Sequence, residues 1–88
     1  MKGVENERAN PNLVWNTFDE EATILDVSTG NYFSLNPVAT EVWNGLHQGR
    51  SQDEIVEIIA QKYETDPEMV KADVIELIAE LRESKLWS

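Results

Sequence analysis

The side chains in this chain that could do chemistry are mostly carboxylates. Glu54 with Glu57 and Glu76 with Glu80 stand at helical spacing, the arrangement in which one acid and one base can share a face. With 17 acidic residues against 7 basic ones and a formal net charge of -10, such pairs arise by chance, and they read as solvated helix faces. The single histidine, His47, falls in the last turn of an expected helix, where a cation meets the helix dipole favourably. It has no Cys, Ser or metal partner in view. There is no Cys, which excludes disulfides, thiolate metal sites and Cys nucleophiles. Ser28, Ser34 and Ser51 lack a local His and Asp, and four glycines form no phosphate loop. No catalytic residue, metal site or cofactor is expected. The remaining chemistry is that of the backbone, and the stretch GNYFSLNP, Gly30 to Pro37, is where it concentrates.

The elements around that stretch follow from periodicity. Residues 1–11 are polar, without period, and end in Asn10-Pro11-Asn12, so they read as a flexible N-terminal tail, leaving 12–88 as a single domain. LVWNTF is rich in β formers. ATILDV alternates, with Thr23, Leu25 and Val27 on one face and Ile24 on the other. Asp19-Glu20-Glu21 and Ser28-Thr29-Gly30-Asn31 read as turns, and NYFSL as a third strand. From Pro37 the period becomes helical: a first helix carries Val38, Val42, Trp43 and Leu46 on one stripe and stops at Gly49. Ser51 and Glu54 form a capping box for a second helix with Ile55, Ile58, Ile59 and Tyr63 inward. Asp66 caps a third helix from Pro67 to Ser84. The predicted fold is α+β, a three-stranded antiparallel meander followed by three helices, similar in outline to a winged helix-turn-helix. Most proteins of that outline bind DNA, but the third helix carries only Lys71 and Arg82 against Glu68, Asp73, Glu76, Glu80 and Glu83, so phosphate would be repelled and no nucleic-acid partner is expected. No stretch reaches the roughly 20 apolar residues that span a bilayer, and the N-terminus has no signal-like apolar core. The expectation is a soluble, cytoplasmic protein with no membrane partner.

In a meander the third strand lies at an edge. Edge strands usually carry charge, Pro or a bulge against unwanted pairing, yet Tyr32, Phe33, Ser34 and Leu35 have none of these. The third helix has a core stripe of Val70, Val74, Leu77 and Leu81, widened by Ile75 and Ile78, with Asp73 on the opposite shoulder. One reading is a groove between this helix and the third strand that takes a guest peptide by strand addition. Others are a homodimer edge, or cover of the same surface by the tail or the second helix. Trp43 reads as a core anchor. Trp87 either folds back onto the core or marks a partner contact, and Trp15 is equally open.

Taken together, GNYFSLNPVATEVW resembles the Gly-x-Tyr-x-x-Leu-Asn segment and Trp-bearing helix of PqqD-like proteins, the peptide-recognition domains of ribosomal peptide pathways. ADVIELIAELRESKLW resembles the family's third helix and the apolar segment after it. The likeness runs from about residue 13 to 87. It implies a non-catalytic domain that binds the leader of a precursor peptide as an added antiparallel strand. Tyr32, Phe33, Ser34 and Leu35 would form the strand side, and Val70, Asp73, Val74, Leu77 and Ile78 the helix side. Gly30, Asn36 and Trp43 would be structural. The pathway it implies first is lasso peptide biosynthesis, with a leader peptidase and a macrolactam cyclase as partners and the domain a monomer. A PqqD-type chaperone of a quinone-cofactor or radical-enzyme pathway, or a homodimeric structural or regulatory subunit, are the alternatives.

Overall fold

The computed structural model describes residues 11–87; the expected flexible tail lies, apart from Pro11, outside the described residues. The element order is β1 (Leu13–Phe18), β2 (Glu21–Asp26), β3 (Tyr32–Leu35), α1 (Pro37–His47), α2 (Gln52–Lys62) and α3 (Pro67–Glu83). The predicted βββααα architecture is therefore the observed one.

The strands form one antiparallel sheet in the order β1-β2-β3. The β1–β2 turn is tighter than expected: Phe18 pairs with Glu21, so only Asp19 and Glu20 turn, with φ of 55° and 67°. Positive φ at both central residues matches the right-handed twist of a two-residue hairpin. Gly30, at φ 81°, closes the second turn, where a Cβ would be strained.

Only one face of the sheet is covered. Ala22 and Ile24 are fully buried, Phe33 and Leu35 half-buried, while Val14, Leu25 and Tyr32 are exposed. The helices lie over the inner face, where α1 comes closest to β2 and β3, and α1, α2 and α3 each pack against the other two. Two polar contacts fix α1 at the end of β3. Asn36 Oδ1 accepts the Ala39 N–H at 2.8 Å, an N-cap directly after the strand. The buried Thr40 hydroxyl accepts the Ala22 N–H at 3.0 Å and donates to the Leu35 carbonyl at 3.3 Å, so it closes the last rung of the β2–β3 ladder.

The capping box of α2 forms as predicted, with Glu54 N–H donating to Ser51 Oγ and Ser51 N–H donating to Glu54 Oε1. Its inward face forms only in part. Ile55, Val56, Ile59 and Ala60 are buried, whereas Ile58 and Tyr63 are exposed. The helix packs against two others, so its buried band is the wide one at i, i+1, i+4, i+5 rather than a single stripe. Gly45 of α1 allows the close approach: a Cβ there would lie 2.7 Å from Ile55 Cγ1.

All three helices end with the two crossed bonds of a Schellman motif. In α3 the left-handed residue is Lys85, and Leu86 N–H donates to the Leu81 carbonyl at 2.9 Å. That turn sends the chain back over the core. Trp87 is 8% exposed and its ring meets Trp43 at 6.5 Å and His47 at 5.0 Å, which settles the reading of this residue in favour of the core. Trp15 joins the same cluster, 5.2 Å from Trp43 and 4.4 Å from His47.

Candidate functional site

The sheet hydrogen bonds decide which backbone groups of β3 are available. Asp26 N–H donates to the Asn31 carbonyl at 2.8 Å, and Ile24 and Ala22 stand opposite Phe33 and Leu35. In an antiparallel pair the groups of alternate residues point to opposite sides of a strand. Residues 31, 33 and 35 therefore face β2, and the N–H and C=O groups of Tyr32 and Ser34 face outward along the free edge.

Beyond that edge stands α3, but it does not close on the strand. No Cα of α3 comes within 8 Å of a Cα of β3. The gap between the two is lined in two stretches. Phe33, Ser34, Leu35, Ala39, Leu77, Glu80, Leu81, Ser84 and Leu86 surround a largely apolar cavity of about 130 Å³. Asn36, Val38, Asp73 and Glu76 line a wider hollow of about 340 Å³, which shares Leu77 and Glu80 with the first. The strand and the helix run in opposite senses, since the Phe33 end faces Leu81 and Ser84 while the end at Asn36 faces Asp73 and Glu76. Another concavity, between α1 and α2, is lined by Glu41, Asn44, Gln48, Arg50 and Ile58 among others. Both of its walls are helices, whose backbone groups are already bonded, so it offers nothing to a guest strand.

Of the residues expected to line the groove, the structure brings together Phe33, Ser34, Leu35, Asp73 and Leu77. Tyr32 contributes its backbone; its side chain is 70% exposed on the outer face of the sheet. Val70, Val74 and Ile78, also expected in the wall, line neither of the two hollows. All three are buried, Val74 completely, in the core cluster with Trp43 and Ile59. The third helix turns its β-branched stripe toward α1 and α2, so the groove receives the adjacent row Asp73, Leu77 and Glu80. Ile75 is exposed, on the flank of α3 away from Asp73, and so does not widen the groove. The reading of the sequence also missed Val38, Ala39, Leu81 and Leu86 as groove residues. The Asn36 cap, which starts α1 within one residue of β3, was a usable sign that the first turn of α1 stands at the end of the groove. The Schellman turn that delivers Leu86 was hidden, because its left-handed residue is a lysine.

The titrating groups that the fold perturbs lie elsewhere. Burial holds the His47 imidazole below its ordinary pKa. The ion pair with Glu41 holds Lys62 above its own, and the Ser28 hydroxyl, 2.6 Å from Asp26 Oδ1, holds that carboxyl down. Among the described residues no group of three or more His, Asp or Glu could hold a metal ion, and no helix is long and apolar enough to cross a membrane.

A sheet edge with a parallel hollow under a helix is the geometry of strand addition, and the comparisons with known proteins agree with the sequence resemblance. The profile of PqqD, Coenzyme PQQ synthesis protein D, matches residues 21–86, most of the chain. The chain belongs to the PqqD family. Two solved structures share the fold of this PqqD-family chain at a TM-score of 0.84 each. TbiB1 in complex with the TbiA(beta) leader peptide is 28% identical, with 92% of this chain and 94% of that one covered. Lasso peptide synthetase B1 complexed with the leader peptide is 23% identical, with 92% and 95% covered, a likeness of fold. Among curated proteins none matches.

Proposed function

We propose that the chain binds the leader segment of a ribosomally made precursor peptide, without catalysing a reaction on it, by adding the leader as a strand to the free edge of β3. The observation that carries this reading is the pairing of outward-facing Tyr32 and Ser34 backbone groups with an apolar cavity between β3 and α3. Main-chain bonds supply affinity of little sequence dependence, and the cavity supplies selectivity. The likeness over more than nine tenths of both chains to TbiB1 in complex with a leader peptide supports the same reading.

Bound in this way, the precursor is delivered as a monomeric complex to the processing enzymes of a lasso peptide pathway, a leader peptidase and a macrolactam cyclase. The fold shared with lasso peptide synthetase B1 complexed with the leader peptide favours that pathway over the quinone cofactor for which the family is named.

Titration of the chain with the leader peptide of its own precursor, with the mass in solution measured in parallel, tests the proposal. A monomer that takes up one peptide with submicromolar affinity is the expected result. A stable dimer that ignores the leader would overturn it.

A further inference from the structure

The two stretches of the groove differ in chemistry, and their order along β3 has a direction. At the Phe33 end the cavity is lined mainly by Phe33, Leu35, Leu77, Leu81 and Leu86, with Ser34, Ala39 and Ser84 beside them and Glu80 shared with the other stretch. At the Asn36 end it is lined by Asp73, Glu76 and Glu80 with Val38 and Leu77, and no Lys or Arg lines either stretch. Asp73, Glu76 or Leu77, and Glu80 recur every three to four residues and so form one row along α3. Both existing strand pairings are antiparallel, and an antiparallel guest is also the better-bonded choice. Its chain then enters at the Asn36 end and leaves at the Phe33 end. The side chains it turns toward α3 are those opposite Leu35 and Phe33, two residues and about 6.8 Å apart.

We propose that the groove selects a basic side chain placed two residues N-terminal to a large apolar side chain of the guest strand. This rests on the strand-addition reading above. The apolar residue fills the cavity beside Phe33 and Leu81. The Lys or Arg lays its aliphatic stem over Val38 and Leu77 and sets its charge among the carboxylates of Asp73, Glu76 and Glu80. A guest of the opposite order puts its apolar residue against carboxylates and its charge into an apolar cavity, which costs the desolvation of that charge. The same row repels acidic leaders, so it excludes as well as attracts.

Selection of binders from a library of displayed twelve-residue random peptides reads this directly. The expected consensus has Lys or Arg two positions before Leu, Ile, Met or an aromatic residue. Replacing that basic residue with Glu in a selected peptide should weaken binding by about tenfold at low salt, and by less at high salt. Against the double variant Asp73→Lys, Glu76→Lys, the same selection should enrich Glu or Asp at that position. A consensus without basic enrichment, one with the basic residue after the apolar one, or a preference unchanged in the double variant would overturn the proposal. The underlying reading has its own control: selected peptides must lose binding to Leu77→Glu. If they do not, or if no peptide is selected, the groove itself is misplaced and the failure lies there.

Discussion

The two ends of α1 handle apolar surface in opposite ways. At its C-terminal end Trp43 and His47 meet Trp15 from β1 and Trp87 from the chain end, with ring centroids 4.2 to 6.5 Å apart, and Trp43 is completely buried. At its N-terminal end Val38 and Ala39 face Phe33, Leu35 and Leu77 across a gap that the chain leaves open. The sheet order puts Trp15 and Phe33 on opposite edge strands. One region concentrates its aromatic rings to hold a small domain together. The other keeps Phe33, Leu35, Val38 and Leu77 half-buried. In so short a chain the first makes the second affordable, because a core this small has little stability to spare.

The comparison predicts that substitutions at the two ends separate stability from binding. The largest effect is expected at the closed end: Trp43→Ala should lower unfolding free energy by about 3–5 kcal/mol, read from urea melts. If the loss is under about 1 kcal/mol, the aromatic cluster is not the anchor described. At the open end, Leu77→Glu should leave the melt nearly unchanged yet weaken leader binding at least about a hundredfold, roughly 2.7 kcal/mol. A charged residue at Val74 cannot make this distinction, since it would enter the core.

Ser34→Pro is the finer probe. Proline is tolerated where an edge N–H faces solvent, so the fold should persist while one ladder donor to the guest is lost, weakening binding by about tenfold. Unchanged affinity would mean that the guest does not pair along β3. The smallest effect concerns His47. Its place in the last turn of α1 favours the cation, but burial dominates and depresses the folded pKa. The unfolded chain therefore binds the proton more readily. Stability should be complete above the ordinary histidine pKa of about 6.5 and decline as pH falls below it, toward the folded value. His47→Gln should remove that part of the slope without altering leader affinity at neutral pH; a slope that survives would assign it to other groups.

How far the sequence revealed this division depends on which signals are local. Alternation, turn residues and caps gave the six elements, their order and the edge position of β3, because each acts over a few residues: Gly30 at positive φ, the Ser51–Glu54 box, Asp66 before Pro67. What a helix face touches depends on neighbours that are distant in sequence. The α3 stripe of Val70, Val74 and Ile78 looks the same whether it lines a groove or fills a core, and only the packing of α1 and α2 against it decides. The same ambiguity misplaced Ile58 and Tyr63. Thr40 gave no signal at all, since its role as a bridge between Ala22 and Leu35 exists only once the sheet and helix have met.

Amide hydrogen exchange at β3 tests the central claim most directly, with and without saturating leader peptide. The N–H groups of Tyr32 and Ser34 face outward along the free edge, so they should exchange rapidly in the free protein and slow by at least about tenfold in the complex, while Phe33, already bonded to β2, changes little. A complex that forms with Tyr32 and Ser34 still exchanging at their free rates would contradict strand addition at this edge.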